Sequence, residues 1–287
     1  MRDLFHCRLS IGSALRLLAV SSCLTVFQPR ICPGAEGERL FLESFTSGAK
    51  KTALCNRIDK HGNVSIDPTG GPDGSAAMRV VYQGNSEGST GIRESIPLSS
   101  SVALASLSYD VKFESDFDFS RGGKLPGLAP EKPVAGGKPM HPAGWSARPM
   151  WREEGLLTSY TYHQQKPDRH GDYMRSDRIL LERGRYQAVT VVVKVNSDPG
   201  KRDGYVEVHL DGVLRVAHRE LEFQNAEEGA EGTESGISRI HFTTFHGGNS
   251  KSWAPKDDEG HYRNVVAWFD NVEVRKGRVI RTAPLGE

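Results

Sequence analysis

YQAVTVVVKV, running from Tyr186 to Val195, is the stretch that decides the fold. Branched and aromatic side chains suit a pleated surface, so this valine-rich run predicts a strand buried on both faces. Just downstream, Tyr205–Leu210 and Val213–Ala217 flank Asp211-Gly212. Asp-Gly accepts the positive φ angles of a two-residue hairpin turn, which makes these runs two antiparallel strands. Upstream, Leu107–Phe119 alternates: Tyr109, Val111, Phe113, Phe117 and Phe119 fall on one face, Asp110, Lys112, Glu114, Asp116 and Asp118 on the other. Period-two alternation of this kind predicts one half-buried strand. Further strands are expected at Met78–Gln83 (after the turn-rich 67–74 segment), Trp145–Trp151, Leu156–Gln164, Ile240–Phe245 and Val265–Val274. Long amphipathic helices and internal repeats are missing from the pattern. Short strands separated by glycine-rich turns argue for an all-β chain, a sandwich of antiparallel sheets of jelly-roll type.

The chain has 287 residues and a formal net charge of +1. No overall field draws it to nucleic acid or a membrane surface, so affinity for a polyanion requires a local basic cluster. Residues 1–35 read as an export leader: Arg2 and Arg8 precede the mostly apolar Ile11–Phe27, and cleavage is expected near Ala35. The expectation is a secreted or periplasmic protein without a membrane span, its domain running from 36 to 287, and a monomer. A second reading of Val20-Ser21-Ser22-Cys23 makes Cys23 a lipoprotein anchor. Three of the four cysteines lie in or beside the leader, which leaves Cys55 as a half-buried thiol and excludes a disulfide framework.

Three segments carry candidate chemistry: Gly122-Gly123-Lys124-Leu125-Pro126-Gly127-Leu128, Gly144-Trp145-Ser146-Ala147-Arg148, and Tyr160-Thr161-Tyr162-His163. On a strand, residues two apart share a face, so Ser146 pairs with Arg148 and Tyr160 with Tyr162. Neighbouring strands would bring all four to one patch, and Lys124, in the long Gly- and Pro-rich stretch 121–144, would complete it. Pro149 cannot donate to a ladder, which suggests an edge or a bulge. Cations beside phenols suit the removal of a proton next to a carboxylate. Arg148 offers a fork that matches the carboxylate, Lys124 adds charge, and a tyrosine exchanges the proton. Such chemistry needs no cofactor.

The same words, together with Phe245-His246-Gly247-Gly248-Asn249, Trp253-Ala254-Pro255 and Trp268-Phe269-Asp270-Asn271, resemble polysaccharide lyase family 14, and the resemblance runs from about Leu107 to Val274. It implies a β-jelly roll with a substrate groove and an acidic polysaccharide substrate of the alginate or glucuronan type, cleaved by β-elimination. It also implies catalytic roles for Tyr162, Tyr160, Arg148 and Lys124, with Tyr162 ahead of Tyr160 in proton transfer. Ser146, Lys124 and Arg148 are implied to bind substrate.

His246, at a strand end, is expected to line the groove, and His163 to face away from it. The histidines show no HxH or HExxH spacing, so no metal is assigned. Glu114, Asp116 and Asp118 could hold a structural calcium or imitate a glycosidase carboxylate pair, and otherwise form a solvated face. The acidic run Glu227–Glu234 reads as a surface loop. Two rival functions follow: a non-catalytic carbohydrate-binding sandwich and a carboxylate-based glycoside hydrolase.

Overall fold

The computed structural model describes residues 37–46, 52–225 and 236–286. The leader, the lipoprotein reading at Cys23 and the acidic run at 227–234 lie outside the described residues. The chain order is β1 (Arg39–Glu43), α1 (Ala53–Ile58), β2 (Val64–Asp67), β3 (Ala77–Asn85), β4 (Gly88–Val102), β5 (Leu104–Phe113), β6 (Gly122–Lys124), β7 (Gly127–Ala129), β8 (Ser146–Arg152) and β9 (Leu156–Tyr162). It continues with β10 (Arg175–Ile179), β11 (Tyr186–Lys194), β12 (Gly204–Leu210), β13 (Val213–Leu221), β14 (Ile237–Gly247) and β15 (Asn264–Lys276). No helix among the described residues is long and apolar enough to cross a membrane.

The strands form two antiparallel sheets joined through the β3–β4 hairpin. One runs β3-β15-β5-β11-β12-β13, with β2 beyond β3 and β1 on β15. The other runs β10-β9-β8-β6-β14-β4, with β7 taking over from β6 between β8 and β14. The valine-rich run is β11, paired on both sides by β5 and β12 and buried on both faces. The expected turn joins β12 to β13, with Asp211 at φ 48° and Gly212 at φ 78°. Between the sheets lies an aromatic core in which Phe113, Phe117, Phe119, Tyr82 and Trp151 meet edge to face.

Local expectations are corrected at several points. The strand expected over Leu107–Phe119 ends at Phe113, where the Glu114 carboxylate accepts from Val266 N at 2.7 Å and the chain turns. Phe117 and Phe119 still point inward because the following loop packs on the same core, which is why the alternation outlives the strand. On the opposite face of the strand Asp110 is buried, held by Arg281 at 3.1 Å and Asn271 at 2.8 Å. The stretch 121–144 is not wholly irregular, since β6 and β7 lie in it. Pro149 is not at an edge, and the irregularity expected there lies on the partner side, where Lys124 to Leu128 spans Met150 to Ala147 with one residue more. The proline sits in the middle of β8, opposite Ser159 of β9, and its carbonyl accepts from Leu125 N at 3.0 Å. In an antiparallel strand the N and C=O of one residue point to the same side. The missing donor therefore falls at the gap between β6 and β7, where no acceptor waits.

Candidate active site

Alternation along four strands builds a concave wall. Arg148 and Met150 on β8, Thr158 and Tyr160 on β9, His241, Thr243 and Phe245 on β14, and Arg93 on β4 all project the same way. The even-numbered residues of β14 go the other way: Ile240, Phe242 and Thr244 face the core. Lys124, at the end of β6, is the cross-strand partner of both Met150 and Phe245. These side chains line a cavity of about 630 Å³, closed further by Ala135 and Gly136 from one loop and by Asp168, His170, Gly171 and Tyr173 from another. Arg169 Nε donates to Gly137 O at 3.2 Å and ties the two loops together.

Four of the five residues singled out by sequence divide into two rungs of the β8–β9 ladder, and the fifth, Lys124, stands on β6. Arg148 pairs with Tyr160, and both line the cavity. Ser146 pairs with Tyr162, and both are fully buried and spent on the loop above. The Ser146 hydroxyl donates to Val134 O at 2.7 Å, and the Tyr162 hydroxyl accepts from Gly137 N at 2.9 Å. Tyr160 and Tyr162 do share a face, with ring centroids 5.7 Å apart. The other loop lies across both rings. A Cβ built on Gly171 would stand 2.9 Å from Tyr162 Cε2 and 3.0 Å from Tyr160 Cε2, so only glycine passes there. Gly171 N then donates to the Tyr160 hydroxyl at 3.2 Å.

The electrostatics are one-sided. Lys124, Arg93, Arg148 and Arg152 line the cavity, against the single carboxylate of Asp168. Among the described residues no carboxylate stands within ion-pairing distance of Lys124 or Arg148. Lys124 Nζ instead lies 4.7 Å from the Tyr160 ring centroid, and Arg148 Cζ 5.5 Å from it on the guanidinium side. Burial, and then the like charges of Arg148 and Arg152, hold the Lys124 ammonium well below the usual lysine range. Burial pushes Arg148 down to about 10, so it stays charged at neutral pH. Burial, with the Tyr162 hydroxyl second, pushes Tyr160 up to about 12.

Arg148 Nη1 donates to Thr243 Oγ1 at 2.8 Å and lies 3.2 Å from His241 Nε2. Burial, and then Arg148, hold His241 down to about 3, so the ring is neutral and its Nε2 can accept from Arg148. Two buried nitrogens in this pair, Arg148 Nε and His241 Nδ1, have no partner within the protein. A buried donor without a partner costs about 1–3 kcal/mol, so this pair is held in place at some cost to stability.

Ser146 and Tyr162, expected in the site, do not line the cavity, and a third residue expected there is also elsewhere. His246 does not line the groove. It lies on the core face of β14, 1% exposed, with Nε2 2.8 Å from Asp118 O and its ring stacked on Phe117. Its neighbours one, three and five positions back, Phe245, Thr243 and His241, do the lining. His241 and Phe245 could have been found by carrying the alternation of the Ile240–Phe245 strand through to its other face. Trp253, whose ring lies within 6.0 Å of Lys124 Nζ, was quoted only as part of a motif. His163 faces away from the cavity, as expected. The acidic trio takes no part in the cavity: Glu114 and Asp118 accept from backbone N–H groups of Val266 and Lys256, and Asp116 pairs with Arg263. Cys55 is half-buried, its thiol raised to about 12 by burial and by the neighbouring Glu43 carboxylate.

Comparison with known proteins gives the following. The family model described as polysaccharide lyase 14 matches residues 72–265. No curated protein matches the chain. Among solved structures, the alginate lyase Aly36B is 23% identical, over 85% of this chain and 99% of its own, with a TM-score of 0.63. The marine PL-14 alginate lyase from Aplysia kurodai is 22% identical, over 83% of this chain and 99% of its own, with a TM-score of 0.64. The alginate lyase vAL-1 from Chlorella virus is 21% identical, over 83% of this chain and 98% of its own, with a TM-score of 0.59.

Proposed function

The chain belongs to polysaccharide lyase family 14, and from that premise we propose that this polysaccharide lyase cleaves an alginate-type polyuronate by β-elimination with Arg148, Lys124 and Tyr160 as its working groups. The observation that carries the reading is a cluster of cations without a carboxylate partner, Arg148 buried and Lys124 half-buried, gathered around one phenol in an open cavity. Unpaired buried charge is costly, and a chain of uronates supplies the missing anions. The structural relatives named above are alginate lyases, which favours the alginate type over glucuronan.

In this scheme the Arg148 guanidinium in the cavity wall faces the uronate carboxylate, and Arg93 adds charge. The C5–H bond breaks as neutral Lys124 takes the proton. Its electrons form the C4–C5 double bond, the C4–O4 bond breaks, and Tyr160 gives its proton to the departing oxygen. Negative charge that builds on the carboxylate meets donors already in place, which is where most of the rate gain arises. Lys124 and Tyr160 suit base and acid because their environments push them in opposite directions, the lysine toward its neutral form and the phenol toward its protonated one. Tyr162, favoured on sequence, has its hydroxyl engaged by Gly137 and acts here as a positioning residue. A glycoside hydrolase would need two facing carboxylates, and the cavity lining holds only Asp168.

The test is the ultraviolet absorbance of the unsaturated product on polymannuronate, polyguluronate and glucuronan. Absorbance should grow on the alginate blocks and vanish in Lys124→Met with the binding of polymer retained. Folded protein that gives no absorbance gain on any of the three polymers would sink the proposal.

A further inference from the structure

Three side chains from distant parts of the sequence converge where β9 ends. His163 follows that strand, His218 lies on β13, and Asp172 lies in the loop that crosses Tyr160 and Tyr162. His163 Nε2 is 3.3 Å from Asp172 Oδ2, and His218 Nε2 is 3.4 Å from the same oxygen. All three atoms lie within 4.8 Å of one another. The imidazoles are buried, with 5% and 8% of their side chains exposed, while Asp172 at 30% opens toward solvent.

These contacts are long for hydrogen bonds between imidazole and carboxylate, which close to about 2.7–2.9 Å when charge-assisted. They match a different geometry. Metal–ligand bonds of about 2.0–2.1 Å in a tetrahedral zinc site separate neighbouring ligand atoms by roughly 3.3–3.4 Å. Both rings aim the same nitrogen at one point, and His163 keeps its buried Nδ1 without a partner in the protein. Two nitrogens and one carboxylate oxygen suit a first-row transition ion or zinc, whereas calcium prefers an all-oxygen shell.

We propose that His163, Asp172 and His218 form a structural site for a zinc-class divalent cation, completed by water on the open side of Asp172. The backbone of Asp172 exchanges two 2.8 Å hydrogen bonds with Thr161, and its neighbour Gly171 donates to the Tyr160 hydroxyl. A bound ion would therefore clamp the 168–173 wall of the cavity against β9 and β13. This site stands or falls independently of the lyase chemistry.

The experiment uses the full chain carrying His261→Ala, which removes the exposed Asp257, Glu259 and His261 group as a competing ligand set. The chelator-treated protein is titrated with Zn²⁺ alone by calorimetry and followed by thermal unfolding. Co²⁺ in its place reports geometry through visible absorption. Expected are one equivalent bound, a rise in melting temperature of about 5 °C, and the intense visible bands of a tetrahedral cobalt site. His218→Gln and Asp172→Asn, checked for native circular dichroism, should weaken binding at least tenfold. No Zn²⁺ uptake by the His261→Ala protein, or uptake unchanged in both variants, overturns the assignment. The cobalt spectrum of the unsubstituted triad keeps the test decisive even where a variant fails to fold: weak octahedral bands there would overturn it as well.

Discussion

Replacing Arg148 with methionine removes a charge while keeping most of the side chain's length, and two separate effects should follow. The first is the loss of a charged donor facing the developing dianion, worth about 2.7–4 kcal/mol, or 10²–10³ in kcat. The second acts through Lys124. Lys124 Nζ and Arg148 Cζ lie 4.7 and 5.5 Å from the same ring centroid of Tyr160, so the charges are at most about 10 Å apart. At that distance, with an effective dielectric near 20, they repel by roughly 1.7 kcal/mol. Removing Arg148 relieves that repulsion and favours protonated Lys124. A base must be neutral to act, so the acidic limb of the kcat/KM profile should move to higher pH. The assay is the initial rate of unsaturated-product absorbance across pH for both proteins. An Arg148→Met enzyme that loses rate with its acidic limb unmoved would refute the assignment of Lys124 as the titrating base.

Other outcomes follow from the same geometry. Tyr160→Phe should lower kcat by 10²–10³ with KM little changed, whereas Tyr162→Phe, which loses the bond to Gly137 N and the hydroxyl beside Tyr160, should cost about 1 kcal/mol, read in thermal stability and KM; equal losses of kcat would contradict the division of roles. His246→Ala should destabilise the fold by about 3 kcal/mol through the aromatic core, and the activity per folded molecule should stay near normal. Since burial holds His246 down to about 4, the unfolded chain binds the extra proton between that value and the usual histidine range. Stability is thus full above about pH 6.5 and falls as pH drops toward 4, by an amount on the order of 3 kcal/mol, measurable by urea unfolding as a pH slope that His246→Asn reduces. Gly127→Ala would drive a Cβ to 2.1 Å from Ala147 O, so β7 should detach from β8 and soluble yield should collapse. KM for polymer should rise with added salt, because the groove's cations act on a polyanion through a screened field.

Much of this molecule is legible from alternation and turn chemistry alone. β11, the β12–β13 hairpin and the paired faces of β8 and β9 follow from residue type and a period of two. What sequence misses has physical causes. Phe117 and Phe119 continue an apolar alternation after their strand has ended, because a loop packed on the core needs the same residues as a strand. β6 and β7 hide among glycines and prolines because each is only three residues long and is held by neighbours rather than by propensity. His246 looked like a groove residue because it stands beside Gly247-Gly248, yet β14 keeps its alternation to the end and sends His241 and Phe245 to the groove instead. Pro149 suggested an edge because the gap it fits is made by partners distant in sequence. The His163, Asp172 and His218 cluster has no spacing signature, since only the fold brings it together.

The order of the strands also sets a schedule. β14, among the last strands in the chain, lies between β4 on one side and β6 with β7 on the other, all formed from residues more than a hundred positions earlier. Until β14 arrives, two strand edges stand open, and open edges pair readily with other chains. The partners of Arg148, Thr243 and His241, come in on that same strand. A growing or refolding chain therefore passes through a stage that is both sticky and inert. Its competence begins when the second sheet closes, so recovery of activity should track the closing of that sheet rather than the appearance of the first.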